Sequence, residues 1–218
     1  MIYKAVIWDL DGTLLDTLQD LASAVNHSLE AFGLPLRSVE EVRTFVGNGI
    51  RNLIDRSVPA GTDPATTDGV FGEFRTYYAA HCSDTTAPYG GIPEVLTDLA
   101  RAGVKMAIVS NKADFAVQDL TRRYFGEEIA VAVGAREDMP KKPAPDMVEY
   151  ALTALGVTKA EAVYVGDSEV DVITARNTGM DCLSVAWGFR SEEILRAAGA
   201  TTILRTPQEL KTAVLGDI

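Results

Sequence analysis

The sequence predicts an α/β protein with a doubly wound parallel sheet and an all-helical domain inserted after the first strand. Three observations carry this. Short, Val/Ile-rich apolar runs recur along the 218 residues. Amphipathic helical patterns separate them. And about ninety residues between the first and second runs hold helical patterns but no strand-like run, far more than the ~30 residues of one crossover unit.

The first run is Ala5-Val6-Ile7-Trp8, short and continuous as in a strand covered on both faces. Helical periodicity follows over 18–32, 39–46, 50–58 and 70–81, punctuated at Gly33-Leu34-Pro35, Gly47-Asn48-Gly49 and Pro59-Ala60-Gly61. Next comes a helix over 92–102, with Ile92, Val95, Leu96 and Leu99 on one stripe and Gly103 at its end. Strands over 104–109, 129–133, 162–165, 182–186 and, more weakly, 201–204 then alternate with helices over 113–124, 145–155, 170–177, 192–198 and 207–215. Such alternation implies right-handed crossovers in one parallel sheet. The domains are therefore expected at 1–15 plus 89–218 for the core and 16–88 for the helical insertion, seated above the carboxyl end of the first strand.

Composition narrows the function. A formal charge of −11 and a pI near 4.6 repel nucleic acid and anionic membrane surfaces. A small anionic substrate remains open if a local cation, metal or N–H cluster overcomes that field. No stretch reaches the ~18 apolar residues of a membrane span, and Met1-Ile2-Tyr3-Lys4 leads into the first strand without secretory-leader features. Cys82 and Cys182 form no C-x-x-C pair, and His27 and His81 lack metal-ligand spacing and read as surface or satisfied helix positions. A reducing cytoplasm is the expected compartment.

Ligands of open parallel sheets bind outside the strands' carboxyl ends. There the sequence has Asp9-Leu10-Asp11-Gly12-Thr13, Ser110-Asn111-Lys112, Lys141-Lys142-Pro143, and Gly166-Asp167-Ser168 with Asp171 four residues on. Clustered carboxylates repel unless a cation neutralises them, and hard oxygen ligands without His or Cys select Mg²⁺. Asp9 and Asp11, at i and i+2, face the same side of an extended chain, and Gly12 permits the turn that follows. Lys141 reads as solvated. Asn111, Lys112 and Thr13 suit either phosphate contact or helix capping, while Asp16 and Thr17 suit an N-cap. Asn48 sits in a Gly-rich segment that suits a lid loop or a plain helix–helix turn. Arg51 suits a substrate carboxylate or ordinary surface exposure. Phe71, Phe74, Tyr77, Tyr78, Met106 and Met180 read as packing.

In this order the motifs resemble those of the haloacid-dehalogenase-like superfamily of phosphotransferases over essentially the whole chain: motif I from Asp9 to Thr17, motif II at Ser110, motif III at Lys142, motif IV from Gly166 to Asp171. Gly47-Asn48-Gly49 and residues 165–179 look most like phosphoglycolate phosphatases. Trp8 stands where Phe is common, and Gly90-Gly91 where Pro-Gly is frequent. The resemblance implies a Rossmann-like core and a helical cap. It also implies an Mg²⁺-dependent phosphatase acting on a small phosphorylated metabolite through an aspartyl-phosphate. Asp9 would be the nucleophile, Asp11 the general acid and base, and Ser110 and Lys142 the catalytic partners of the phosphoryl oxygens. Asp9, Asp167 and the Asp11 carbonyl would hold Mg²⁺, with Asp171 orienting bound water or Lys142. Gly12, Thr13, Asn111, Lys112, Asn48 and Arg51 are the candidate phosphate or substrate contacts.

Other functions fit the same residues. A phosphomutase would return the phosphoryl group to a sugar phosphate. A phosphatase could act on pyrophosphate, a nucleotide or a sugar phosphate. A response-regulator-like phospho-acceptor leaves the 73-residue insertion unexplained. Neither nucleic acid nor membrane is expected as partner, and the chain is expected as monomer or homodimer.

Overall fold

Ala5, Val6, Ile7 and Trp8 are each fully buried, and that burial on both faces makes them the centre of a sheet rather than its edge. The computed structural model describes residues 2–216; Met1, Asp217 and Ile218, ends of the expected core, lie outside the described residues. In chain order the elements are β1 (Ala5–Trp8), β2 (Leu15–Asp16), α1 (Leu18–Ala31), α2 (Val39–Phe45), α3 (Ile50–Ser57), α4 (Pro64–His81), β3 (Ala87–Pro88), α5 (Ile92–Arg101) and β4 (Lys105–Ala113). There follow α6 (Asp114–Phe125), β5 (Val131–Ala135), α7 (Asp146–Leu155), a 3₁₀ turn (Lys159–Glu161), β6 (Ala162–Gly166), α8 (Glu169–Thr178), β7 (Asp181–Val185), α9 (Glu192–Ala197), β8 (Thr202–Leu204) and α10 (Pro207–Leu215).

The chain divides into two units, one comprising residues up to Leu15 and from Pro88 onward, the other Asp16–Ala87. The first holds a six-stranded sheet of order β5-β4-β1-β6-β7-β8, with every pair parallel. Strand order reverses at β1, so the crevice expected of an open sheet lies at the carboxyl ends of β1 and its neighbours β4 and β6. Trp8 is level with Ile108 on one side and Val165 on the other, which brings residues 9, 110 and 167 out along one rim. Met147, Val148 and Ala151 of α7 pack over Ile7, Val109 and Tyr164 in the core.

Several boundaries depart from the sequence expectation, among them β5, which lies two residues beyond the expected 129–133. β4 extends through Ser110, Asn111 and Lys112, which were expected in a loop, and its register with β5 shifts between Val109 and Ala113. Side chains of α6 bond the β5 backbone beside the shift: Asp114 accepts from the Gly134 amide at 2.8 Å, and Gln118 donates to the Ala132 carbonyl at 2.7 Å. Asn111 and Lys112 consequently do not cap α6, whose cap residue is Ala113, without a side-chain cap bond.

The second unit is built from α1 to α4. Its longest helix starts six residues before the expected Val70, because Asp63 caps the Thr66 amide at 3.0 Å and Pro64 opens the first turn. At α1 the N-cap position is Thr17, whose hydroxyl makes no cap bond; Asp16, one residue earlier, accepts from the Leu18 amide at 3.3 Å. Two short strands flank the insertion, β2 and β3, which pair with each other. The Gly47–Gly49 segment is the α2–α3 turn, and Gly49 precedes α3 with φ 83°. His27 and His81 each pair with an acid, Glu73 and Asp84, and stack on opposite sides of Tyr77. Among the described residues no helix is long and apolar enough to cross a membrane.

Asp20 closes this unit. Buried at the start of α1, its carboxylate accepts from both the amides and the hydroxyls of Thr85 and Thr86, between 2.5 and 3.1 Å. Burial alone would raise its pKa; those four donors outweigh burial and lower it. Asp20→Ala is expected to cost about 2 kcal/mol or more at neutral pH in urea unfolding, since buried donors lose their acceptor. A group with a lowered folded pKa contributes stability above its unfolded pKa, near 3.9, that is lost as pH falls through the folded value. The deficit of the variant should therefore shrink below pH 4. By contrast, Trp8 buries an indole N–H with no partner among the described residues. Trp8→Phe removes that donor together with some ring area, and stability is expected to change by less than ~1.5 kcal/mol.

Candidate active site

The loop after β1 turns tightly: the Thr13, Leu14 and Leu15 amides all donate to the Leu10 carbonyl, and the Gly12 amide donates to Leu15. Gly12 has φ 88°, a conformation that a side chain resists. The turn leaves Asp9 in line with the sheet, its amide bonded to the Val165 carbonyl at 2.8 Å.

Asp9 is 7% exposed and Lys142 5%, and they meet at 2.7 Å. Lys142 also reaches Asp171 at 2.8 Å and the Tyr164 hydroxyl at 3.0 Å. The whole of the Asp171 carboxylate is engaged. One oxygen takes Lys142 and Tyr164; the other takes the Ser168 amide at 3.1 Å and the Ser168 hydroxyl at 2.6 Å in a capping box that starts α8. Asp11 faces a second lysine, Lys112, whose ammonium spans both its carboxylate oxygens at 2.9 and 3.2 Å. Ser110 is buried and accepts from the Lys112 amide, and Asn111 donates to the Lys142 carbonyl at 3.0 Å. Lys141 is exposed.

Asp167 sits at the end of β6, 1% exposed. Thr13 donates to one oxygen at 3.3 Å and the Phe189 amide to the other at 2.6 Å. Burial lifts the Asp167 carboxyl well above the usual range, and the charges of Asp171 and Asp9 lift it further. Burial likewise raises Asp9 to about 7, with Lys142 pulling it down and Asp171 pushing it up. Lys142 would be lowered by its own burial, but Asp171 and Asp9 hold it well above its ordinary value.

Of the four carboxylates Asp9, Asp11, Asp167 and Asp171, Lys112 pairs with Asp11 and Lys142 with Asp9 and Asp171, while Asp167 is held by the Thr13 hydroxyl and the Phe189 amide. Were all four ionised, the balance would be short of two positive charges, the charge of one divalent cation. Oxygens of Asp9, Asp167 and Asp171 come within 4.8 Å of one another, a hard, all-oxygen donor set that fits Mg²⁺. Because Asp171 is spoken for by Lys142, Tyr164 and Ser168, the Asp9 and Asp167 carboxylates are the side chains free to hold such an ion. The Asp11 side chain turns to Lys112 instead.

Asn48 and Arg51 belong to the helical unit. Arg51 there pairs with Asp55 at 2.9 Å and Asp68 at 2.5 Å. Two contributors to the site lie outside the motifs. Tyr164 is the one hydroxyl in the apolar run of β6, and a hydroxyl in a strand buried on both faces needs a polar partner. The segment after β7, Trp187-Gly188-Phe189-Arg190, supplies an amide to Asp167; its signal in the sequence is a glycine between two aromatic residues at a fifth strand end.

The profile of the haloacid dehalogenase-like hydrolase family matches residues 6–185. A phosphoglycolate phosphatase of Pseudomonas putida is 32% identical over 207 residues, covering 92% of this chain and 76% of that protein. An N-acetylmuramic acid 6-phosphate phosphatase of Pseudomonas aeruginosa is 32% identical over 212 residues, covering 96% and 94%. A crystal structure from Lactobacillus delbrueckii, described as a candidate phosphoglycolate phosphatase, superposes with a TM-score of 0.93 at 38% identity and covers all of both chains. On the extent of these matches, the chain belongs to the haloacid dehalogenase-like hydrolase family.

Proposed function

We propose that this hydrolase is an Mg²⁺-dependent phosphatase of a small phosphorylated metabolite, phosphoglycolate in the first place, working through an aspartyl-phosphate on Asp9. The observation that carries the reading is the deficit of two positive charges among buried carboxylates at the sheet's switch point. Bound at Asp9 and Asp167, Mg²⁺ would supply charge that lets an anionic phosphoryl group approach an anionic nucleophile.

The residues divide the work. Asp9, kept in place by Lys142, attacks phosphorus. Lys142 and Ser110 stabilise the equatorial phosphoryl oxygens where charge is carried during transfer. Asp11 gives a proton to the leaving oxygen and then takes one from the water that hydrolyses the acyl phosphate. Lys112 holds the Asp11 carboxylate oriented until a phosphoryl oxygen competes for its ammonium. Asp171 and Tyr164 keep the Lys142 ammonium at Asp9. Thr13 steadies Asp167, and Gly12 lets the backbone come close. Asn111 supports the Lys142 backbone. We assign the catalytic core to residues 1–15 and 89–218 and a cap to 16–88, with Asn48 and Arg51 as its candidate substrate contacts.

A second reading keeps the chemistry and changes the substrate to a sugar phosphate. It is favoured by the relative that acts on N-acetylmuramic acid 6-phosphate, of which this chain covers 94%.

Asp9→Asn is expected to lower kcat by ~10³-fold or more, because the nucleophile is lost. Phosphate release should also stop in EDTA and return with MgCl₂. Unchanged release in either experiment overturns the proposed chemistry. Across phosphoglycolate, N-acetylmuramic acid 6-phosphate, a nucleotide and pyrophosphate, the highest kcat/KM is expected for phosphoglycolate. A sugar phosphate in first place would select the second reading.

A further inference from the structure

Asp167 lies in a slot that the recognised motifs only half explain. On one side stands Gly12, where a Cβ would run into the Asp167 carboxylate. On the other stands Gly188, where a Cβ would run into Asp167 Cβ and Oδ2 and into the Gly12 carbonyl oxygen. Gly188 is not among the glycines with positive φ, so backbone conformation alone does not call for glycine at this position. Space does. The obstructing atoms include backbone, which cannot swing aside as the far end of a side chain can.

The neighbouring residues complete the arrangement. Phe189 donates its amide to Asp167 Oδ2 at 2.6 Å, whereas Oδ1 has the longer 3.3 Å bond from Thr13. Each oxygen thus takes one donor and keeps a lone pair, and Oδ1 is the one less tightly held. The segment is tied down at both ends. Trp187 Nε1 donates to the Thr13 carbonyl at 3.1 Å, and Arg190, 8% exposed, pairs with Glu169 at 2.9 Å. Those anchors sit on the loop that carries Asp9 and Asp11 and on the first residue of α8, two positions after Asp167.

We propose that residues 187–190 are a positioning strap for Asp167: Gly188 and the Phe189 amide fix which carboxylate oxygen is offered to the divalent cation, and thereby set cation affinity and the preference for Mg²⁺ over Ca²⁺. This rests on the magnesium reading of the site. Selectivity follows from geometry. Mg²⁺ requires near-octahedral ligands at about 2.0–2.1 Å, while Ca²⁺ accepts more ligands at about 2.3–2.6 Å in looser arrangements. A displaced Asp167 thus harms Mg²⁺ binding more. A segment serving only to pack the edge of the sheet has no reason to discriminate between the two ions. Partners that orient a metal ligand are worth about 10–100-fold in affinity.

The test uses the full-length protein stripped with EDTA and titrated with MgCl₂ or CaCl₂ alone, following the thermal unfolding midpoint, which rises as an ion binds the folded state. Gly188→Ala is expected to weaken Mg²⁺ at least tenfold and Ca²⁺ by a smaller factor. Trp187→Phe keeps an aromatic ring of smaller area and removes the bond to Thr13; it should weaken Mg²⁺ by less, with the same bias between ions and a metal-free midpoint near wild type. Should Gly188→Ala fail to fold, Trp187→Phe decides on the same criterion. Unchanged Mg²⁺ affinity, or equal losses for both ions, overturns the strap while leaving the magnesium reading intact. A wild-type midpoint indifferent to both ions overturns the magnesium reading, and the strap with it.

Discussion

Four carboxylates drawn into one desolvated rim set the terms for everything around them. Left alone, like charges at such separations would force protons onto the acids or push the loops apart. The chain answers with Lys142 between Asp9 and Asp171 and with Lys112 across Asp11. Each pair is buried, and removing one partner would strand a charge in a poorly solvated place. The complementarity is incomplete: two lysines restrain three of the four acids, and the charge missing from the fully ionised set is that of the divalent cation proposed above.

The parallel sheet makes such a concentration possible. Because strand order reverses at β1, loops from β1, β4 and β6 leave the sheet side by side without having to cross. Those strands are short and rigid, buried on both faces, so the acids at their ends inherit a fixed backbone. The extension of β4 through a register shift does the same for Ser110 and Lys112, which ride on strand rather than on loop. Asp114 and Gln118 of α6 bond the β5 backbone alongside that extension.

Much of this was legible from the residues alone. Period and punctuation locate the strands because a β-branched run between helical patterns has few other uses. Acids placed directly after such runs announce a rim. The limits were equally physical. The early start of α4 depends on Asp63 and Pro64 overriding the weak helix propensity of Thr66, Thr67, Asp68 and Gly69 in its first two turns. The strand character of residues 110–112 depends on pairing with β5, more than twenty positions along the chain. Tyr164 and the segment after β7 matter through contacts with residues that lie 20 or more positions away. Spacing along a chain cannot express which side chain fills which gap; the glycine between Trp187 and Phe189 shows that space was needed, but not for what.

Asp171 carries a further consequence. The same carboxylate begins α8, through Ser168, and anchors the lysine that faces Asp9. Fraying of that helix's first turn and misplacement of the Lys142 ammonium are then a single event, not two. Helix start and lysine position are thereby locked by one buried, fully bonded carboxylate, so neither can shift without the other.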